Sequence, residues 1–71
     1  MKTESIVRCF IHLDAFYDEL FARAFTRLFN YGRIIVLNEG NEYIYVESTT
    51  LESADFLTQS CQAKPEYFSE E

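Results

Sequence analysis

Few side chains in this chain have the chemistry for catalysis. There is one histidine (His12), there are two cysteines (Cys9 and Cys61), and carboxylates recur in pairs at Asp18/Glu19 and Glu52/Asp55. A histidine acting as general base needs a nucleophile within hydrogen-bond reach, and no Ser or Cys stands near His12 in a recognisable arrangement. On a strand His12 shares a face with Arg8, which reads as an exposed or interface position. A reactive thiol needs a neighbouring cation or a helix N-terminus, yet Cys61 falls toward a helix C-terminus. Cys9 and Cys61 belong to no CxxC or Cys/His cluster and are read as reduced core residues that hold no metal. The carboxylate pairs have the spacing of solvated helix faces and caps. Two glycines cannot build a phosphate-cradling loop, and a chain this short rarely encloses the ~300 Å3 of a typical ligand pocket. The expectation is a protein with no catalytic residue, no cofactor and no metal: not an enzyme.

Surface chemistry is more informative. Glu39, Glu42, Glu47, Glu52 and Asp55 fall within 17 residues that contain no Lys or Arg, and the whole chain carries twelve acidic against six basic residues, a net charge of −6. That balance disfavours direct binding of nucleic acid or of an anionic membrane, both of which call for a basic footprint. It would steer the chain toward a partner protein with a basic surface. If the five carboxylates line one edge they form a negative stripe resembling the phosphates of a nucleic acid; the alternative is a scattered, solvated surface.

The elements that would position these groups follow from periodicity. Residues 5–13 (SIVRCFIHL) alternate, with Val7, Cys9, Ile11 and Leu13 on one face and Ile6, Arg8, Phe10 and His12 on the other, which predicts a strand. A competing pattern, Ile6, Phe10, Leu13, Tyr17, Leu20 and Ala24, would make one long N-terminal helix followed by a β-hairpin and a second helix. The β-branched content, and Asp14 as an N-cap, favour the strand. Residues 14–31 form the clearest helix, with Gly32 placed to end it in a left-handed conformation. Its apolar residues cover more than half the circumference, wider than the stripe of an ordinary surface helix. Phe25 and Phe29, at the edge of that arc, are expected to be left wet.

Residues 33–48 (RIIVLNEGNEYIYVES) read as a hairpin. A three-residue loop, Asn38-Glu39-Gly40 with Gly40 left-handed, would set Ile34 opposite Ile44 and Ile35 opposite Tyr43. Ile34, Val36, Ile44 and Val46 then face the core. Arg33, Ile35, Leu37, Tyr43, Tyr45 and Glu47 face the other way, apolar in the middle and charged at the ends. A last helix starts with Thr49 as cap and Glu52 reaching back, presents Leu51, Ala54, Leu57, Thr58 and Cys61, and stops before Pro65.

The chain therefore reads as one α+β domain over residues 1–64, with an acidic tail at 65–71. The order is β-α-β-β-α: a three-stranded, mostly antiparallel sheet with the first strand beside the third and both helices on one face. Nothing in the chain covers Ile35, Leu37, Tyr43 and Tyr45, and such patches mark interaction sites. The N-terminus has charge within its apolar part and no cleavage site, and no run approaches the ~20 residues that span a bilayer. A cytoplasmic location is expected. The functional expectation is a small acidic protein-binding module, an inhibitor or modulator of a larger complex. In size and charge it is analogous to a phage or mobile-element counter-defence protein. A homodimer that buries the outer hairpin face is the alternative.

Overall fold

The structure is a computed structural model that describes residues 6–70. Its elements run β1 (Arg8–His12), a 3-10 turn η1 (Leu13–Tyr17), α1 (Glu19–Asn30), β2 (Ile34–Glu39), β3 (Tyr43–Ser48), α2 (Leu51–Ala63) and β4 (Phe68–Glu70). The fold is a small α+β domain in which two helices cover one face of an antiparallel sheet of order β2-β3-β1-β4. The first strand does lie beside the third, and the long-helix alternative does not form. Ser5, the first residue of the expected strand, lies outside the described residues.

The sheet has four strands rather than three. Phe68–Glu70, expected as part of a tail, pair with β1, Ile11 opposite Phe68 and Cys9 opposite Glu70. Phe68 is buried, and its ring meets the edge of Phe21 at 5.3 Å. One buried aromatic and three ladder positions are enough to bring the chain end into the sheet, because they complete the core beside β1.

The first helix begins later than its periodicity suggests. Asp14 does not cap it; η1 intervenes, and Asp18 accepts from the N–H groups of Leu20 (3.0 Å) and Phe21 (3.3 Å). An Asp whose carboxylate satisfies two of the free N–H groups at the first turn is a strong start signal. Once the helix starts at Glu19, its buried stripe narrows to Phe21, Phe25 and Leu28. Phe25 is therefore buried, contrary to expectation, and packs edge-on against Phe16 (5.1 Å). Phe29 is exposed, and Leu20 is 77% exposed. The helix ends as expected: Gly32 takes φ 75°, and the N–H groups of Gly32 and Arg33 reach back to the carbonyls of Phe29 and Leu28.

In the hairpin, Ile34 lies opposite Ser48 rather than Ile44, and Ile35 opposite Glu47 rather than Tyr43. The ends of the two strands set this register. Thr49 N–H donates to the Arg33 carbonyl (2.9 Å), and its hydroxyl donates to that of Gly32 (2.7 Å). Ser48, fully buried, exchanges bonds with Val7: its N–H donates to the Val7 carbonyl, and its Oγ accepts from Val7 N–H. The loop becomes Gly40-Asn41-Glu42, Gly40 does not take the left-handed conformation, and a bulge falls between Val36 and Asn38. Because the shift before the bulge is even, the faces keep their residues. Ile34 and Val46 are buried, with Val36 and Ile44 packed against the same cluster.

The second helix is capped by Thr50, one residue after the expected Thr49. Thr50 Oγ1 accepts from Ser53 N–H while Ser53 Oγ accepts from Thr50 N–H, both at 3.2 Å. Glu52 is freed from capping and pairs with Arg33 at 2.9 Å. Ala54 and Leu57 face the core, and Phe56 stacks on Phe21 (5.5 Å, 9° between planes), joining the helices through one aromatic pair. Cys9 is buried, and Cys61 is partly buried and near enough to act on the Cys9 thiol. Burial, more than Cys61 or Glu70, pushes the Cys9 thiol up to about 12.

Candidate protein-binding surface

Opposite the helices, the pleat of β1 and β3 builds an aromatic array. Phe10 is opposite Tyr45, and their rings stack at 4.5 Å and 26°. One step of the pleat further on, His12 is opposite Tyr43, ring edge to face at 5.0 Å, and Tyr67 flanks His12 at 6.1 Å. On the hairpin side the array continues through Ile35 and Leu37. Phe10, Ile35, Leu37 and Tyr43 are 41, 39, 44 and 45% exposed, a graded patch rather than one stray side chain. Both helices pack on the other face, so within the described residues no element lies over these rings.

Of the expected binding residues, Ile35, Leu37, Tyr43 and Tyr45 do share this face. Phe10 and Tyr67 join them without having been expected to, and His12, read only as an exposed or interface position, is a third member. The alternation of residues 5–13 already put Phe10 and His12 on one side, and the pairing of that strand with β3 was the signal that joined them to the tyrosines. Tyr67 could not be found so, because its place depends on β4.

The five carboxylates Glu39, Glu42, Glu47, Glu52 and Asp55 are not brought together. Glu47 sits on the outer face paired with Arg8 at 3.2 Å, and Glu52 is paired with Arg33. Asp55 is on α2, on the helical side of the domain. Glu39 and Glu42 are at the hairpin tip, at the far end of β3, a strand length of ~17 Å away at ~3.3 Å per residue. The expected stripe is thus divided into a neutralised end and an end that, among the described residues, is unpaired.

At the unpaired end other acids join the tip. Leu13 N–H donates to the Glu42 carbonyl (2.9 Å) and His12 N–H to the Tyr67 carbonyl (2.7 Å), which holds η1, the hairpin tip and the turn before β4 together. Asp14, Glu39, Glu42 and Glu66 are all exposed there. Asp14 N–H donates to His12 Nδ1 (3.0 Å), which leaves the ring proton on Nε2.

A second surface feature is a cleft of about 260 Å3 between the start of α1, the end of α2 and β4, lined by Leu20, Phe21, Phe56 and Phe68. The Lys64 ammonium donates to Asp18 at its mouth. Ser60, whose hydroxyl donates to the Phe56 carbonyl (2.8 Å), is the other polar residue of its lining. Among the described residues no group of three His, Cys, Asp or Glu side chains could hold a metal ion, and no helix is long and apolar enough to cross a membrane.

Compared with protein-family models, curated proteins and solved structures, the chain shows no match. The function has to be read from the surface itself.

Proposed function

We propose that the domain is a small acidic protein-binding module whose working surface is the outer face of the sheet. The observation that carries this reading is the stacked pair Phe10–Tyr45, continued by Ile35, Leu37 and Tyr43 on a face that neither helix covers. An apolar, aromatic centre with charges confined to its margins is the composition of an interface, and tyrosine is among the residue types that carry most binding energy there. The net charge of −6 and the exposed carboxylates beside the patch favour a partner with a basic surface. Occupying that surface would make the module an inhibitor or modulator of the larger protein, in competition with any acidic ligand, nucleic acid included. The likeness to phage or mobile-element counter-defence proteins rests on size and charge alone.

A homodimer is the second reading. It is favoured by β2, a six-residue edge strand carrying Ile35 and Leu37, since a long apolar edge is a template for pairing with another copy.

The test is capture from the source cell's extract by the immobilised parent and by the double variant Tyr43→Ala, Tyr45→Ala, with the mass of each measured in solution. The expected result is a monomeric parent that retains a basic protein which the variant loses. Equal retention by both overturns the reading, and a tight parent dimer dissociated by the double change replaces it with the homodimer.

A further inference from the structure

At one end of the outer face, three separate segments each present an aromatic ring with an exposed carboxylate one or two residues away. His12 has Asp14, Tyr43 has Glu42, and Tyr67 has Glu66. The backbone bonds His12–Tyr67 and Leu13–Glu42 hold the segments side by side, and the rings touch, with His12 between the two tyrosines at 5.0 and 6.1 Å.

Among the described residues, four of the five cations are engaged in ion pairs elsewhere, and Arg27 lies on α1 beside Glu52 and Phe56. Arg8 pairs with Glu47, Arg23 with Glu19, Arg33 with Glu52 and Lys64 with Asp18. Asp14 has only His12 beside it, Nδ1 at 3.7 Å, and that nitrogen already accepts a hydrogen bond. Among the described residues, Glu39, Glu42 and Glu66 have no ion-pair partner. Ring faces attract a cation through their quadrupole, and nearby carboxylates add charge that exposed rings alone lack. The opposite end of the face, where Arg8 and Glu47 cancel, offers neither.

We propose that the His12–Tyr43–Tyr67 cluster, with the carboxylates of Asp14, Glu42 and Glu66 around it, is a seat for an arginine or lysine side chain of the partner protein. The inference rests on the outer face being the docking surface. It adds an orientation: the partner's basic residue lies over the hairpin-tip end, and its apolar residues lie over Phe10, Tyr45 and Ile35. Guanidinium suits the site better than ammonium, because its flat, weakly hydrated group stacks on a ring while its N–H groups reach carboxylates at the margin.

The test uses a blocked hexa-arginine peptide and its hexa-citrulline counterpart, which keeps the planar side chains without their charge. Each is titrated into the 15N-labelled full chain while amide shifts are followed. The arginine peptide is expected to move the amides of His12, Tyr43, Tyr67 and Glu42 in a saturable way, and citrulline is not. Tyr43→Leu and Glu42→Gln should each weaken binding about tenfold. Shifts that follow every exposed carboxylate, Asp55 as much as Glu42, overturn the seat. So does a Tyr43→Leu variant that binds like the parent, or a tight dimer in which a second copy already covers the rings. If the peptide misses this end while Tyr45 variants still lose the captured partner, the seat is wrong and the docking face stands. If Tyr45 variants also keep the partner, the docking face falls too.

Discussion

Phe10 and Tyr45 stack at 4.5 Å across the β1–β3 ladder, on the side of the sheet away from both helices. Cross-strand aromatic pairs stabilise a sheet by ~0.2–1 kcal/mol, but Phe10 itself, and Ile35 and Leu37 beside the pair, remain exposed. The pair is a modest contributor to the fold and the centre of the apolar patch on this face.

Phe10→Ala should therefore separate binding from folding. Partner affinity is expected to fall about thirty-fold, the effect of removing an anchor worth ~2 kcal/mol at an interface centre. The far-UV circular dichroism of the variant should stay close to the parent's. Titration calorimetry with the captured partner reads the first effect, and a spectrum of the free variant reads the second.

Phe21 is the opposite case. Its ring meets Phe16, Phe25, Phe56 and Phe68, which belong to η1, α1, α2 and β4. Phe21→Ala should cost about 3 kcal/mol, much of the stability a domain of this size has. A thermal melt should find the variant largely unfolded near room temperature; a parental melt would mean that this ring is not the junction of the core.

Asp18 links α1 to α2 through Lys64 and caps α1 at the same time. The Lys64 ammonium, then the Phe21 N–H, hold its carboxyl below the usual carboxylate value. The folded state therefore releases this proton more readily than the unfolded one. The stabilisation is present above the ordinary pKa of 3.8 and is lost as pH falls through the lower folded value. Asp18→Asn, which still caps, should melt lower than the parent at pH 7, with the gap closing below pH 3.8 in a pH series of melts.

Cys9 works at the other end of the scale. Burial raises its thiol from about 9 to about 12, so the folded state keeps a proton that the unfolded state loses. Its contribution is whole below pH 9 and declines as pH rises toward 12. Cys9→Ala should flatten the alkaline loss of stability, although it also removes buried volume. In the native parent, Cys9 should react with a thiol reagent only at the rate of global opening, while half-buried Cys61 reacts sooner. Quantifying label at each cysteine by mass spectrometry checks the order.

The elements and faces of this fold were legible because they depend on period. Alternation placed Cys9 and Ile11 inside and Phe10 and His12 outside, and Ile34 and Val46 apart from Ile35 and Tyr45. What failed was decided by contacts distant in sequence. Ser48 bonds to Val7, and Thr49 to Gly32 and Arg33, so the hairpin register is set at the strand ends rather than by Gly40. β4 exists because Phe68 finds Phe21, a meeting that no local pattern announces. For the candidate surface, the tyrosines and their apolar neighbours could be read in advance. The acidic end could not, because Glu47 and Glu52 are paired with Arg8 and Arg33, while Asp14 and Glu66 gained importance only through the η1 and β4 contacts.

Two exposed apolar features compete for the role of docking surface: the sheet face, and the start of α1, where Leu20 lines the helical cleft and Tyr17, three residues before it, is exposed. The deciding measurement is the affinity of the captured partner for Phe10→Ser, Tyr45→Ser set against Tyr17→Ser, Leu20→Ser, each checked for native helix content. The sheet-face variant should lose at least thirty-fold in affinity while the cleft variant binds like the parent. Parental affinity in the sheet-face variant, with the loss appearing at Tyr17 and Leu20, would contradict the assignment of the outer face as the working surface.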